Sequence, residues 1–133
     1  MNIANIQSLH NDHDKWLTAI YRWSEELSQF ISRLSDIIDI QQDETERKRV
    51  IENINTIKHY RRFLKELEEV IKTHEIFLED ISFFYENPEH SDIMMDHNKT
   101  RNHLISFKTT FRKIKSNVDK LLVQKMDLQE ENP

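Results

Sequence analysis

The sequence contains no glycine and no cysteine, and only two prolines in 133 residues. Without glycine there is no phosphate-cradling glycine loop, and the chain suits long helices far better than a sheet or a loop-rich enzyme. Without cysteine there is no disulfide, no thiolate zinc site and no thiol nucleophile, so sulfur redox chemistry is confined to methionine. No apolar run approaches the roughly 20 residues that span a bilayer. The opening stretch MNIANIQSLHNDHD has neither a basic start nor an apolar core, which leads to the expectation of a soluble cytoplasmic protein with no membrane partner. The sequon Asn98-Lys99-Thr100 carries no weight without an export signal.

What is present points the same way. Hydrophobic residues make up 37% of the chain and charged residues 32%, a balance typical of solvent-washed helices. The length suits one domain, residues 1–133, able to bury a core without covalent staples. The formal charge of −5 argues against nucleic acid as a partner. That charge is unevenly spread: −4 over residues 1–43, −3 over 44–90, +4 over 91–129 and −2 over 130–133. The basic third segment is read as lying beside acidic helices rather than as a phosphate-binding face, because it lacks interleaved aromatic residues.

Three segments carry an apolar seam at alternating steps of three and four. The first runs His10, His13, Leu17, Ile20, Ser24, Leu27, Ile31, Leu34, Ile38, and beside it Trp16, Trp23, Phe30 and Ile37 recur every seven residues. The second runs Val50, Asn53, Ile57, Tyr60, Leu64, Leu67, Ile71, His74, Leu78, Ile81, Tyr85, flanked by Phe63, Val70, Phe77 and Phe84. The third is narrower: Ile93, His97, Thr100, Leu104, Phe107, Phe111, Ile114, Val118, Leu121. Asp43 and Glu46 have capping-box spacing after a very short turn. Pro88 in ENPEHSD closes the second segment, with Ser91 or Asp92 as the next cap.

These patterns predict an all-α fold: an elongated, antiparallel, up-down-up three-helix bundle with coiled-coil-like packing and a left-handed supercoil, its helices covering about residues 8–41, 44–86 and 92–128. The second helix would be roughly 60 Å long at 1.5 Å per residue. The tail LQEENP is expected to fray. Asn53 and Ser24 are read as polar residues that fix helix register, Met94 and Met95 as filling around the second turn, Trp16 and Trp23 as core, and His59 and His90 as surface residues. The stretch WLTAIYRWSEELSQFISRLSDII, the seam residue Asn53 and KTHEIFL around His74 resemble a group of small, uncharacterised three-helix bacterial proteins. That resemblance implies the fold and carries over no activity and no functional residue.

Mirroring positions about the two turns sets His74 opposite His10 and His13, and His103 level with His74. Four histidines from three helices then share one layer, with Asp14, Glu75 and Asn102 as neighbours in a second shell. Two readings stand. One is a polar layer near the end of the bundle, where a half-buried imidazole needs a single hydrogen bond. The other is a site for a divalent transition metal on His10, His13, His74 and His103. The Glu-x-x-His motif of ferritin-like bundles, the His-x-x-x-His and His-x-x-x-Glu spacings of hemerythrin-like proteins and H-E-x-x-H are all absent, and no carboxylate pair stands out for acid–base work. The functional expectation is a non-enzymatic bundle that binds a protein partner or forms a homodimer through helices one and two. The alternative is a small metal-binding protein.

Overall fold

The computed structural model describes residues 3–83 and 91–131, with side chains described over 6–80 and 94–126. It holds three helices, α1 (Ile3–Ile40), α2 (Glu44–Phe83) and α3 (Ser91–Glu131), packed against one another as an all-α three-helix bundle. Among the described residues there is no strand. By Cα proximity the chain divides into two compact units, Met1–Arg22 with Leu64–Lys108, and Trp23–Phe63 with Thr109–Pro133. Each unit therefore draws a segment from every helix.

The second unit is apolar at its centre. Leu27, Phe30, Leu34 and Ile37 of α1 are buried with Val50, Ile54 and Ile57 of α2 and Phe111, Ile114, Val118 and Leu121 of α3. The Phe30 and Phe111 rings stack with centres 6.0 Å apart, and Trp23 lies 6.3 Å from Phe111. Two residues expected on the α1 seam, Ile31 and Ile38, are only half-buried, because Phe30 and Ile37 of the flanking row take the deeper positions. On α2, Ile54 occupies the interior where Asn53 was expected. The Asn53 amide donates to the Arg49 carbonyl of its own helix at 2.9 Å, and its side chain is half-buried.

The first unit has Ile6, Leu9 and Ile20 of α1, Leu64, Leu67, Ile71 and Leu78 of α2, and Leu104 and Phe107 of α3 in its interior. It also holds the buried polar residues of the described chain, His13, His97 and Thr100. Burial of Ile6 and Leu9 explains why α1 begins at Ile3 rather than near residue 8, since the extra turn is stabilised by tertiary packing.

Helix ends follow local chemistry. The Gln41 amide donates to the Ile37 carbonyl at 2.9 Å as α1 closes. Asp43 caps α2, its Oδ1 accepting from the backbone amides of Thr45 at 2.9 Å and Glu46 at 3.2 Å. The reciprocal half of the expected capping box is replaced: the Asp43 amide donates to Gln41 Oε1 at 3.1 Å, and Glu46 pairs with Arg49 at 3.5 Å. At the other end, α3 continues to Glu131, so most of the segment expected to fray is helical. Met95 is 68% exposed and Met94 is also on the surface, which corrects their reading as filling. Trp16 and Trp23 are half-buried rather than core. Phe84, Tyr85, His90 and the turn around Pro88 lie outside the described residues.

Leu27→Ala is expected to cost about 2–5 kcal/mol in urea denaturation, as deletion of a fully buried leucine does. Ile105→Ala, on the surface, should stay within about 0.5 kcal/mol of the parent. Asp43→Ala should cost about 1 kcal/mol through loss of the cap.

Candidate functional site

The polar residues of the first unit form a connected group drawn from all three helices. On α1, His10 and His13 are three positions apart and therefore share a face. On α2, Glu75 projects between them: His10 Nδ1 donates to Glu75 Oε2 at 2.6 Å, and His13 Nδ1 donates to Glu75 Oε1. One carboxylate thus holds two imidazoles, each through the same ring nitrogen. His10 and Glu75 are partly exposed, whereas the His13 side chain is 1% exposed.

A second carboxylate repeats the arrangement. His97 Nε2, on α3, donates to Asp12 Oδ2 at 2.9 Å. Arg101 Nη2 donates to the same oxygen at 2.8 Å, while Arg101 Nη1 donates to Asn98 at 2.9 Å. The guanidinium carbon of Arg101 lies 5.8 Å from the centre of the Trp16 ring, within the range of a cation–π contact. Trp16 in turn covers the imidazoles, 4.5 Å from His97 and 5.5 Å from His13.

The rings face one another across the helices. His13 is 5.0 Å from His97 and 6.3 Å from His74 between ring centres. Each carboxylate fixes the proton on one nitrogen of its histidine, leaving the other as a lone-pair acceptor in the neutral ring. For His13 that other nitrogen, Nε2, is buried with no hydrogen-bond partner.

Burial disfavours the charged form of three of the rings. Burial pushes His13 below the ordinary histidine range against the opposing pull of Glu75, and the charges of His97 and His10 push the same way. Burial also lowers His97 against the pull of Asp12, with Arg101 and His74 adding to the depression. His74 is lowered by burial, opposed by Asp96. Burial works to raise the Asp12 carboxyl, but hydrogen bonds and charge from His97 and Arg101 outweigh it and hold the group below its usual value.

Of the residues expected to share a layer, the structure brings His10, His13 and His74 together with Glu75. His103 is exposed, and His97, six positions before it, makes the ring contacts with His13 and Trp16. The mirror construction places α3 nearly two turns out of register, because its level rests on the assumed centre of the second turn, whereas that of α1 against α2 rests on the first. The available signal was burial: His97 falls on the α3 seam, and His103 only flanks it. Asp14 and Asn102, expected as outer-shell groups, are exposed; Asp12 takes that place beside Glu75. Among the described residues no group of three or more His, Asp or Glu side chains is placed so that it could hold a metal ion, and no helix is long and apolar enough to cross a membrane.

The lowered histidines set the sign of a pH dependence. Unfolded imidazoles bind protons below about pH 6.5, whereas His13, His74 and His97 resist protonation in the fold, so the unfolded state binds more protons as pH falls. Urea midpoints should therefore decline steadily from pH 7.5 to 5.5, and the decline should be shallower in His74→Leu. A flat profile over that range would contradict the burial of neutral rings. Comparison with known proteins gives no matching family, no matching curated protein and no matching solved structure.

Proposed function

We propose that the protein is a non-enzymatic interaction module that pairs with a second copy of itself through the outer face of α2. The observation that carries this reading is the exposure of Val70 and Phe77, 40% and 55% respectively, seven residues apart on one face of the helix. Ile76, beside Phe77, is 65% exposed. Scattered apolar side chains are normal on protein surfaces. A pair at heptad spacing is more specific, because this is the repeat by which helices pack along one another.

The row is also self-complementary. A two-fold, antiparallel contact centred between Thr73 and His74 sets Val70 of one copy against Phe77 of the other, and symmetry repeats the pair. In that register Lys72 of one copy is level with Glu75 of the other, a pair of opposite charge, while Glu68 is level with Glu79, a pair of like charge. The non-enzymatic part of the reading is supported by the sequence, which offers no thiol nucleophile, phosphate loop or H-E-x-x-H motif.

Sedimentation at high micromolar concentration is expected to give a dimer. Phe77→Ser should shift the protein to monomer with helicity unchanged by circular dichroism. Val123→Ser, at an exposed position on α3, should leave the dimer intact. A monomeric mass for the parent protein across the whole concentration range would overturn the reading.

A further inference from the structure

We infer that His13, His74 and His97, one from each helix, form a binding site for a divalent first-row transition metal such as zinc, with Glu75 and Asp12 orienting two of the three ligands. The site lies in the first unit and does not depend on the dimer contact proposed above.

Three observations converge on it. First, His13 is fully buried yet leaves Nε2 without a partner. A buried polar atom without a partner costs stability, and a bound water or ion is one way to satisfy it. With Nδ1 turned to Glu75, Nε2 lies on the opposite edge of the ring, away from the carboxylate.

Second, one pair of rings stands at the separation a shared ion requires, and the other lies just beyond it. At a zinc–nitrogen distance of about 2.0–2.1 Å and tetrahedral angles, two imidazole ring centres are about 5 Å apart, and wider angles extend this to about 6 Å. The His13–His97 separation is 5.0 Å and the His13–His74 separation 6.3 Å. No three of the described side chains are placed to hold an ion as they stand, so ligation calls for rotation of the rings, of His74 above all. Three imidazoles leave a fourth position for water.

Third, the surrounding groups are those that accompany histidine ligands. Metal-bound histidines donate their remaining ring N–H to a carboxylate, which fixes the tautomer and makes the ligand nitrogen more basic. His13 has this arrangement with Glu75, and His97 has it with Asp12. His10 completes the second oxygen of Glu75 from outside. Net charge favours a cation as well: the first unit has seven Lys and Arg against twelve Asp and Glu, a balance of −5, while the second has twelve of each. Burial lowers the proton affinity of all three rings, which reduces competition between protons and a metal for the ligand nitrogens.

The full chain, treated with chelator and desalted, is titrated with zinc chloride by calorimetry and with cobalt chloride by visible absorption. One ion per chain, with micromolar or tighter affinity and a tetrahedral cobalt band, is expected, together with a zinc-dependent rise in melting temperature. His97→Gln and His74→Gln should each weaken zinc by about a hundredfold or more, His103→Gln should leave it unchanged, and Glu75→Gln should weaken it about 10–100-fold. Circular dichroism checks that each variant folds; if His97→Gln does not, the contrast between His74→Gln and His103→Gln decides. No saturable zinc binding by the parent protein would overturn the inference. So would parent-like binding by either folded ligand variant, or an equal loss in His103→Gln, since either result marks adventitious surface binding.

Discussion

Each helix of this protein buries one stripe, and a polar atom placed on such a stripe costs stability unless it finds a partner inside the bundle. In the second unit the constraint is largely met by omission, because the fully buried residues described there are apolar. In the first unit His13, His97 and Thr100 occupy stripe positions, and a whole arrangement of carboxylates follows from them. Glu75 reaches across from α2 to His10 and His13, and Asp12 on α1 turns to His97. Arg101 then neutralises Asp12 and lies against Trp16. The sequence of dependencies runs from two buried imidazoles outward to the surface.

This arrangement is more expensive to build than a leucine layer. A buried hydrogen bond contributes only about 1 kcal/mol net, and leaving its partner unmet costs about as much or more. Removing Glu75 alone would strand the Nδ1 protons of two histidines, one of them in the core. The orphaned Nε2 of His13 shows that the network is incomplete even with both carboxylates in place.

Much of the architecture was legible in the apolar spacing. The seam of α3 is buried at every described position from His97 to Leu121, because its narrow stripe offers one solution only. Where a helix carried two adjacent rows, spacing did not say which was deeper: on α1 Phe30 and Ile37 displaced Ile31 and Ile38, and on α2 the second row, Val70 and Phe77, went to the surface instead. Asn53 lost its interior place to Ile54 by one position, a rotation of 100° that periodicity alone resolves poorly. The histidine group was partly legible for a related reason. His10, His13, His74 and Glu75 involve one turn, so the level match between α1 and α2 held. Placing α3 needed the second turn as well, and the true participants, His97 and Asp12, were missed. Both lie in segments where local sequence contains no information about the register of the third helix.

The placement of the two tryptophans gives the chain a built-in optical asymmetry. Trp16 lies against imidazoles in the first unit, whereas Trp23 lies near the Phe111 ring in the second. A charged imidazole quenches a neighbouring indole and a phenyl ring does not, so the two emitters differ in their response to acid. With one emitter replaced by phenylalanine, the fluorescence of the other reports on its own unit, and the melting of each can be followed without an added label.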